Sequence, residues 1–311
     1  MPKPLKPPAL LPGSELAVVS PSSPAEPDRI ARGLAELKRL GYKPRTPASL
    51  TPDLFFSATV SQRADDLLAA LSDPQPRAAI CTRGGYGSAT LLEHINAHPP
   101  AAPRILLGYS DVTALQVFLW QKFGWVTFYG PMVAAGFDAG AGAPSGYDLA
   151  SFQRALTETR SGWHLELFGE ALVAGSTEGT LLGGCLTLVQ STLATPWELD
   201  TRDSILVLED VSLRPYQLDR LLLHLKQAGK FKDVCGIILG DFPDSAPSVL
   251  GSPTVADVCR RVLGDLGVPV VFGAPIGHTT RPLLTLPLGV RARLTAFGPG
   301  LLDILEPAVA P

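Results

Sequence analysis

The stretch that decides the fold is RILLGYSDVTALQVFLWQKFG, residues 104–124, where a short apolar run is followed by helical spacing. RILLG predicts a buried strand, and DVTALQVFLWQKFG predicts a helix that ends at Gly124. Only Tyr109 and Ser110 separate the two segments, so they are joined by a tight turn. Ligands of open α/β sheets sit at such turns, at the carboxyl ends of the strands.

The same alternation extends on both sides of this stretch. ELAVVS, RAAICT and WVTFYGPM indicate further strands, and DRIARGLAELKRLG, SQRADDLLAALSD and SATLLEHI indicate helices. Strands that alternate with helices of this length predict βαβ units and a parallel sheet. We therefore predict an α/β protein whose N-terminal part is a Rossmann-like (flavodoxin-like) parallel-sheet domain.

The second half has more strand-like segments. EALVAG, EGTLLGG, SILVLED and DVCGIILGDF indicate strands, and the tail from VPVVFG onward contains several short β runs with tight turns. This pattern predicts a smaller, β-rich α/β domain. The Gly- and Ala-rich segment GFDAGAGAPSGYD is the best linker candidate. We predict an N-terminal domain over residues 1–135, a linker region over 136–170 and a C-terminal domain over 171–311.

Composition excludes several classes of function. The chain has 311 residues, 46% of them hydrophobic, and a formal net charge of −3 without a basic stripe, so no nucleic-acid partner is expected. No apolar run approaches the ~18 residues of a membrane span or forms a signal peptide. We expect a cytoplasmic protein. The four cysteines and five histidines show no metal-ligand spacing, so neither a metal nor a cofactor is expected.

Ser110 stands where a nucleophile at the tip of a strand-to-helix turn would stand. The backbone N–H of Asp111 opens the following helix, and Gly84 and Gly85 of RGGYG offer unobstructed N–H groups after the preceding strand. Together these groups are suited to an oxyanion hole. The motif is not G-x-S-x-G, and a serine that only caps the helix or makes a structural hydrogen bond is the alternative.

A nucleophilic serine needs a base and an acid. His278, in PIGHTT, is surrounded by Gly, Pro and apolar residues, whereas the other four histidines lie in polar contexts. Glu209 and Asp210 end the apolar strand SILVL, where a carboxylate needs a partner. Asp210 is the better suited of the two to cap the next helix. The order Ser, acid, His is a known triad order; a satisfied structural histidine is the alternative for His278.

Seven motifs occur in an order that resembles the LD-carboxypeptidases of peptidase family S66. They are RGGYG, GYSDVTAL, VTFYGPM, LLGG, LVLEDV, LDRLLLHL and FGAPIGHTTRPLLTLPLG. The resemblance runs from about Leu11 to the end of the chain. That family includes muramoyltetrapeptide carboxypeptidases and microcin C self-immunity peptidases.

The resemblance implies a serine carboxypeptidase with a Ser-His-Glu triad formed by Ser110, His278 and Glu209. It implies oxyanion donors at Asp111 and Gly85, a homodimer, and no metal or cofactor. The implied activity is release of the terminal D-alanine from murein tetrapeptides in peptidoglycan recycling. Further residues adjoining the motifs are predicted to bind substrate, with the arginines taking its free carboxylate: Arg83, Tyr86 and Arg281.

Three other functions remain open. A microcin-immunity-type peptidase, which cuts an acyl link to a nucleotide analogue, would have an aromatic stacking platform and an insertion near the site. A non-catalytic binding protein would not need all three triad residues, and a transferase would use an amine in place of water. Relatives often carry asparagine where this chain has Cys185, which leaves substrate preference open.

Overall fold

The computed structural model describes residues 2–46, 51–247, 249 and 251–311, which form two β-sheets flanked by helices. The strands are β1 Glu15–Val19, β2 Lys43–Arg45, β3 Ala78–Cys81, β4 Ile105–Gly108, β5 Thr127–Tyr129, β6 Trp163–Glu166, β7 Glu170–Val173, β8 Gly175–Cys185, β9 Ser204–Glu209, β10 Val234–Gly240, β11 Val270–Ala274, β12 Leu286–Leu288, β13 Arg291–Ala296 and β14 Leu301–Ile304. The helices are α1 Pro27–Arg39, α2 Val60–Ser72, α3 Leu92–Ala97, α4 Thr113–Phe123, α5 Leu149–Thr157, α6 Leu186–Ser191, α7 Pro215–Gln227 and α8 Val255–Leu263.

The first sheet has the strand order β12-β5-β4-β3-β1-β2. Strands β1 to β5 are parallel, in the order 2-1-3-4-5 that defines a flavodoxin-like sheet. The sixth strand, β12, comes from the C-terminal part of the chain and pairs with β5 in the antiparallel direction. The predicted Rossmann-like parallel sheet is therefore confirmed, with one added edge strand.

The second sheet has eight strands in the order β6-β14-β13-β8-β9-β10-β11-β7. Its four central strands, β8 to β11, are parallel, and the outer strands pair antiparallel to their neighbours. The β-rich α/β character predicted for the second half is confirmed, and this sheet is wider than the first. Strand β2, which the sequence pattern did not indicate, completes the far edge of the first sheet.

The two sheets share a hydrophobic core. One cluster of buried side chains includes Val18 and Phe128 from the first sheet and Val207, Ile238 and Leu294 from the second. Helix α4 is buried along most of its length, because one face packs on the first sheet and another packs with the core of the second. The segment that follows Ser110 is therefore anchored to both halves of the molecule.

The predicted linker region, residues 136–170, contains α5 and β6. Phe137 and Tyr147 are buried in it, and the Ser145 N–H donates to the Thr280 carbonyl at 3.0 Å. This segment therefore packs against the loop that follows His278. The domain bounds given above stay a prediction.

Gly33 in α1 gives a direct test of how this helix packs. A Cβ at position 33 would lie 1.9 Å from the Val133 carbonyl oxygen, in the turn after β5. Helix propensity alone predicts that Gly33→Ala stabilises the protein by about 0.5–1 kcal/mol. We expect instead a loss of about 1–3 kcal/mol in the free energy of unfolding, measured by urea denaturation, because the backbone must move apart.

The matched control is Ala35→Gly, on the exposed side of the same helix. It changes helix propensity without a steric contact and should cost about 1 kcal/mol. A Gly33→Ala variant more stable than the wild type would contradict the packing described here.

Candidate active site

Ser110 lies at the turn between β4 and α4, in the left-handed region of backbone conformation with a φ of 65°. This conformation is unfavourable for a residue other than glycine, and a serine held in it is characteristic of a strained strand-to-helix turn. The Ser110 N–H donates to the Tyr129 hydroxyl at 3.2 Å. The turn thus presents the serine at the carboxyl end of the sheet, as the sequence predicted.

Gly84 faces Ser110 across the sheet edge. A Cβ at Gly84 would lie 2.8 Å from Ser110 Oγ and 3.3 Å from the Asp111 nitrogen, so only glycine fits here. Gly85 follows it with a φ of 109°, which also favours glycine. The RGGYG loop therefore approaches the Ser110 turn closely, with the backbone of Gly85 and that of Asp111 on the same edge.

The Asp111 carboxylate has a separate, structural role. It is buried, and its Oδ2 accepts hydrogen bonds from Ser22 Oγ at 2.6 Å and from the Ser88 N–H at 2.8 Å. The side chain thus fastens the loops after β1 and β3 to the Ser110 turn. This leaves the Asp111 backbone, rather than its carboxylate, as the group available to a ligand.

Glu209 and His278 form a hydrogen-bonded pair. Glu209, at the end of β9, is fully buried, and its Oε2 lies 2.8 Å from both the His278 backbone nitrogen and His278 Nδ1. A carboxylate only accepts hydrogen bonds, so Nδ1 carries the proton and Nε2 is the basic nitrogen of the neutral ring. A Cβ at Gly277 would lie 2.2 Å from Glu209 Cδ, which makes glycine necessary before the histidine.

Tyr129 is a residue of the site that the sequence analysis missed. Its hydroxyl donates to Glu209 Oε1 and accepts from the Ser110 N–H. The motif VTFYGPM indicates a strand and contributes to the family resemblance, but neither pattern assigns a role to Tyr129; its position at the carboxyl end of the strand is the available signal. The hydroxyl links the first sheet to the carboxylate of the second.

Burial and the neighbouring Glu209 carboxylate act in opposite directions on the pKa of His278. Burial by itself lowers the pKa of His278, but the charge of Glu209, its hydrogen bond and the charge of Asp210 together raise that pKa above its ordinary value of 6.5. The ring also packs edge-on against Tyr109, with centroids 5.2 Å apart. The histidine is thus held in one orientation with its proton on the Glu209 side.

Asp210 does not compete for His278. Its Oδ2 accepts from the Thr187 N–H at 2.9 Å and from Thr187 Oγ1 at 2.6 Å. Asp210 therefore caps the first turn of α6. The sequence analysis predicts that it caps the helix that follows it in the chain, and among the described residues the structure does not show that contact. Cys185, opposite Glu209 in the strand register, is buried, and its N–H donates to Thr113 Oγ1 at 3.0 Å.

A cleft of about 650 Å³ is lined by both Ser110 and His278. Its walls include Ser110, Gly84, Gly85 and His278 together with Arg29 and Arg83. Among the residues that the structure describes, no hydrogen bond joins Ser110 Oγ to the His278 ring. Catalytic hydrogen bonds are often long in ligand-free sites and shorten when substrate binds.

The three predicted substrate-binding residues lie in different places. Arg83 lines the cleft, and its guanidinium is exposed apart from a 3.3 Å hydrogen bond to the Pro24 carbonyl. Tyr86 is 57% exposed and stacks on Phe56 outside the cleft wall. Arg281 forms an ion pair with Asp241, so its guanidinium is already engaged and is less suited to bind the substrate carboxylate.

Arg29 is a second arginine of the cleft that the sequence analysis did not single out. Its Nε donates to Asp138 Oδ2 at 2.6 Å, so the positive charge of Arg29 is compensated by the carboxylate. Within residues 2–46, 51–247, 249 and 251–311, no group of three or more His, Cys, Asp or Glu side chains could hold a metal ion. No helix in these same ranges is long and apolar enough to cross a membrane.

Comparison with known proteins decides the family. Residues 16–130 match the LD-carboxypeptidase N-terminal domain, and residues 178–294 match the LD-carboxypeptidase C-terminal domain. The chain belongs to the LD-carboxypeptidase family. Membership in this peptidase family, S66, makes it a hydrolase of the carboxypeptidase class.

Individual LD-carboxypeptidase relatives cover almost the whole chain. The "Probable murein peptide carboxypeptidase" of Bacillus subtilis (strain 168) is 34% identical over 93% of this chain and 91% of that protein. The solved muramoyltetrapeptide carboxypeptidase from Oxalobacter formigenes is 27% identical, with a TM-score of 0.79, over 96% of this chain and all of that one. The structure of MccF in complex with glutamyl sulfamoyl guanosine is 26% identical, with a TM-score of 0.86, over 99% and 100%.

The contacts of His278 predict how its titration responds to substitution. We expect NMR of the imidazole to give His278 a pKa above 6.5, because Glu209 stabilises the protonated ring. Glu209→Gln should lower this pKa by about one unit or more, since it removes the nearest negative charge. Asp210→Asn is the matched control and should lower it less, because Asp210 is bonded to Thr187. Equal shifts in the two variants would mean that Glu209 has no special role.

Proposed function

We propose that this protein is a serine LD-carboxypeptidase that releases the terminal D-alanine from murein tetrapeptides. The observation that carries the proposal is the 2.8 Å contact from His278 Nδ1 to a buried Glu209 beside the cleft that Ser110 also lines. Serine hydrolases need this arrangement of nucleophile, base and acid. The family match and the murein peptide relatives support the same reaction class.

In the proposed reaction, His278 Nε2 takes the proton of Ser110 Oγ while that oxygen attacks the carbonyl carbon of the L-to-D peptide bond. The negative charge that forms on the carbonyl oxygen is stabilised by the backbone N–H groups of Asp111 and Gly85. His278 then gives its proton to the departing D-alanine amine. Water, with His278 again as base, hydrolyses the acyl-serine that remains.

Arg83 is the proposed ligand for the free carboxylate of the terminal D-alanine. It lies in the loop after β3 and lines the cleft beside Gly84 and Gly85. Arg29, by contrast, is already paired with Asp138. An exposed guanidinium next to the reacting bond explains why an enzyme of this kind removes only a terminal residue.

The alternative is a microcin-immunity-type peptidase. Of the two solved structures compared above, MccF has the higher TM-score, 0.86 against 0.79, which supports this alternative. Against it, Tyr109 is the one aromatic residue among the described residues that line the cleft, and its ring packs edge-on against His278. A flat aromatic surface for stacking a nucleobase is therefore not supplied by these residues. Cytoplasmic location stays a prediction from the sequence composition, and a homodimer and a role in peptidoglycan recycling stay predictions from the family resemblance.

Ser110→Ala tests the nucleophile. We expect a folded protein that loses about 10⁴- to 10⁶-fold in kcat, because the acyl-enzyme no longer forms. D-alanine release from a tetrapeptide, measured by mass spectrometry, is the readout, and Ser61→Ala on the exposed face of α2 is the control. Activity of Ser110→Ala within tenfold of wild type would reject the serine mechanism.

Arg83→Gln tests the substrate class. We expect kcat/KM for a tetrapeptide with a free terminal carboxylate to fall by about 10²-fold, since a charge-assisted pair is lost. The same peptide ending in D-alaninamide should be cleaved slowly and almost equally by wild type and variant. Two further substrates should be tested with both proteins: a tetrapeptide ending in L-alanine and an aminoacyl sulfamoyl nucleoside. Preferential hydrolysis of the nucleoside by the wild type would favour the microcin-immunity alternative.

A further inference from the structure

Tyr129 occupies a position that the reaction described above does not yet use. Its side chain is fully buried at the carboxyl end of β5, where Tyr129 is the register partner of Gly108 at the end of β4. We propose that Tyr129 is a positioning residue for the triad, a proposal that rests on the proposed function. Its hydroxyl fixes the Ser110 turn and determines how strongly Glu209 attracts a proton onto His278.

The hydrogen-bond roles at this hydroxyl follow from its partners. The Ser110 N–H can only donate, so the Tyr129 oxygen accepts that bond, at 3.2 Å. Glu209 Oε1 can only accept when ionised, so the Tyr129 proton is directed at the carboxylate. One hydroxyl therefore joins the backbone of the nucleophile to the acid.

This link has a mechanical consequence for Ser110. The serine is held at a φ of 65°, a conformation that is unfavourable for a residue other than glycine and persists only where neighbours enforce it. The hydrogen bond to Tyr129 is one such restraint, and the buried start of α4 is another. Without the hydroxyl, the Ser110 N–H would be left without that partner and the turn would be held less firmly.

The link also has an electrostatic consequence for Glu209. Glu209 Oε2 accepts hydrogen bonds from His278, and Oε1 accepts one from Tyr129. The Tyr129 hydroxyl therefore stabilises the negative charge on the carboxylate oxygen that His278 does not contact. A donor to the carboxylate stabilises the ionised state most when His278 is neutral. Removing that donor should therefore increase the affinity of the Glu209–His278 pair for a proton.

Other titratable groups surround this pair and remain in place when the Tyr129 hydroxyl is removed. Tyr109, from the β4 end, faces His278; Cys185 and Asp210, from β8 and β9, interact electrostatically with the Tyr129–Glu209–His278 group. Farther out, Tyr109 interacts electrostatically with Arg29 and Arg83 on the cleft wall and with Asp138, the partner of Arg29. Because these charges do not change, a shift in the titration of His278 on loss of the hydroxyl reports the Tyr129 bond.

A purely structural role is the rival explanation. Tyr129 packs tightly, and a Cβ at Gly184 would lie 3.1 Å from its ring. Loss of the hydroxyl would then lower stability and activity without changing the pH at which activity appears. A shift in the pH dependence of activity therefore separates positioning from packing.

The experiment compares Tyr129→Phe with wild type in the pH dependence of kcat/KM for a tetrapeptide. We expect a loss of about 10- to 100-fold at the pH optimum and a shift of the acid limb to higher pH by about 0.5–1 unit. The matched control is Tyr147→Phe, which removes a buried hydroxyl that donates to Glu36 Oε1 at 2.7 Å. The control should leave the acid limb unchanged. An acid limb at the same pH in Tyr129→Phe and wild type would overturn the proposal.

Two further measurements keep the test decisive. NMR titration of His278 needs no substrate, so it gives the same shift even if no tetrapeptide is cleaved and the proposed function fails. If Tyr129→Phe does not fold, 3-fluorotyrosine at position 129 keeps the ring and the hydroxyl but makes it a stronger donor. Its acid limb and its His278 titration should then move to lower pH, and an unchanged titration would reject the role of Tyr129.

Discussion

The structure of the site depends on the burial of one carboxylate. Glu209 is fully buried, and an ionised carboxylate taken out of water costs several kcal/mol unless its oxygens are paired. His278 and Tyr129 meet that requirement from two different parts of the chain. The need to satisfy Glu209 therefore fixes the loop after β11 and the end of β5 relative to β9.

Glycines make this close approach possible. Gly277 leaves room for the Glu209 carboxylate, and Gly84 leaves room for Ser110 Oγ. Gly184 does the same for Thr113 at the start of α4. A side chain at any of these positions would overlap a neighbouring group, and the backbone at Gly84 and Gly277 forms part of the cleft wall. The rigidity that results suits a reaction in which backbone N–H groups must point at a developing charge.

The common core explains how residues from distant segments keep their geometry. Helix α4 packs against both sheets, so the turn before it cannot move with one half alone. Strand β12, after His278 in the chain, adds to the first sheet beside β5, the strand that carries Tyr129. The segment predicted as a linker also bonds to this region, through Ser145 and Thr280. These contacts join the two halves around the cleft.

The sequence by itself determined the alternation of strands and helices, and with it the parallel first sheet and the β-rich second half. Local apolar spacing carries that information, because it depends only on neighbours along the chain. It also indicated Ser110, Glu209 and His278, since polar residues after apolar strands are conspicuous. The family resemblance added the order of the motifs.

Only the tertiary structure decided the rest, because those features depend on residues far apart in sequence. It showed the contact of Glu209 with His278, which the family resemblance implied but no local pattern could place. It separated Arg83, at the cleft, from Arg281, which is paired with Asp241. It also revealed Tyr129, whose partners lie 19 and 80 residues away along the chain. No local pattern can encode such a contact, since it forms only when two sheets pack.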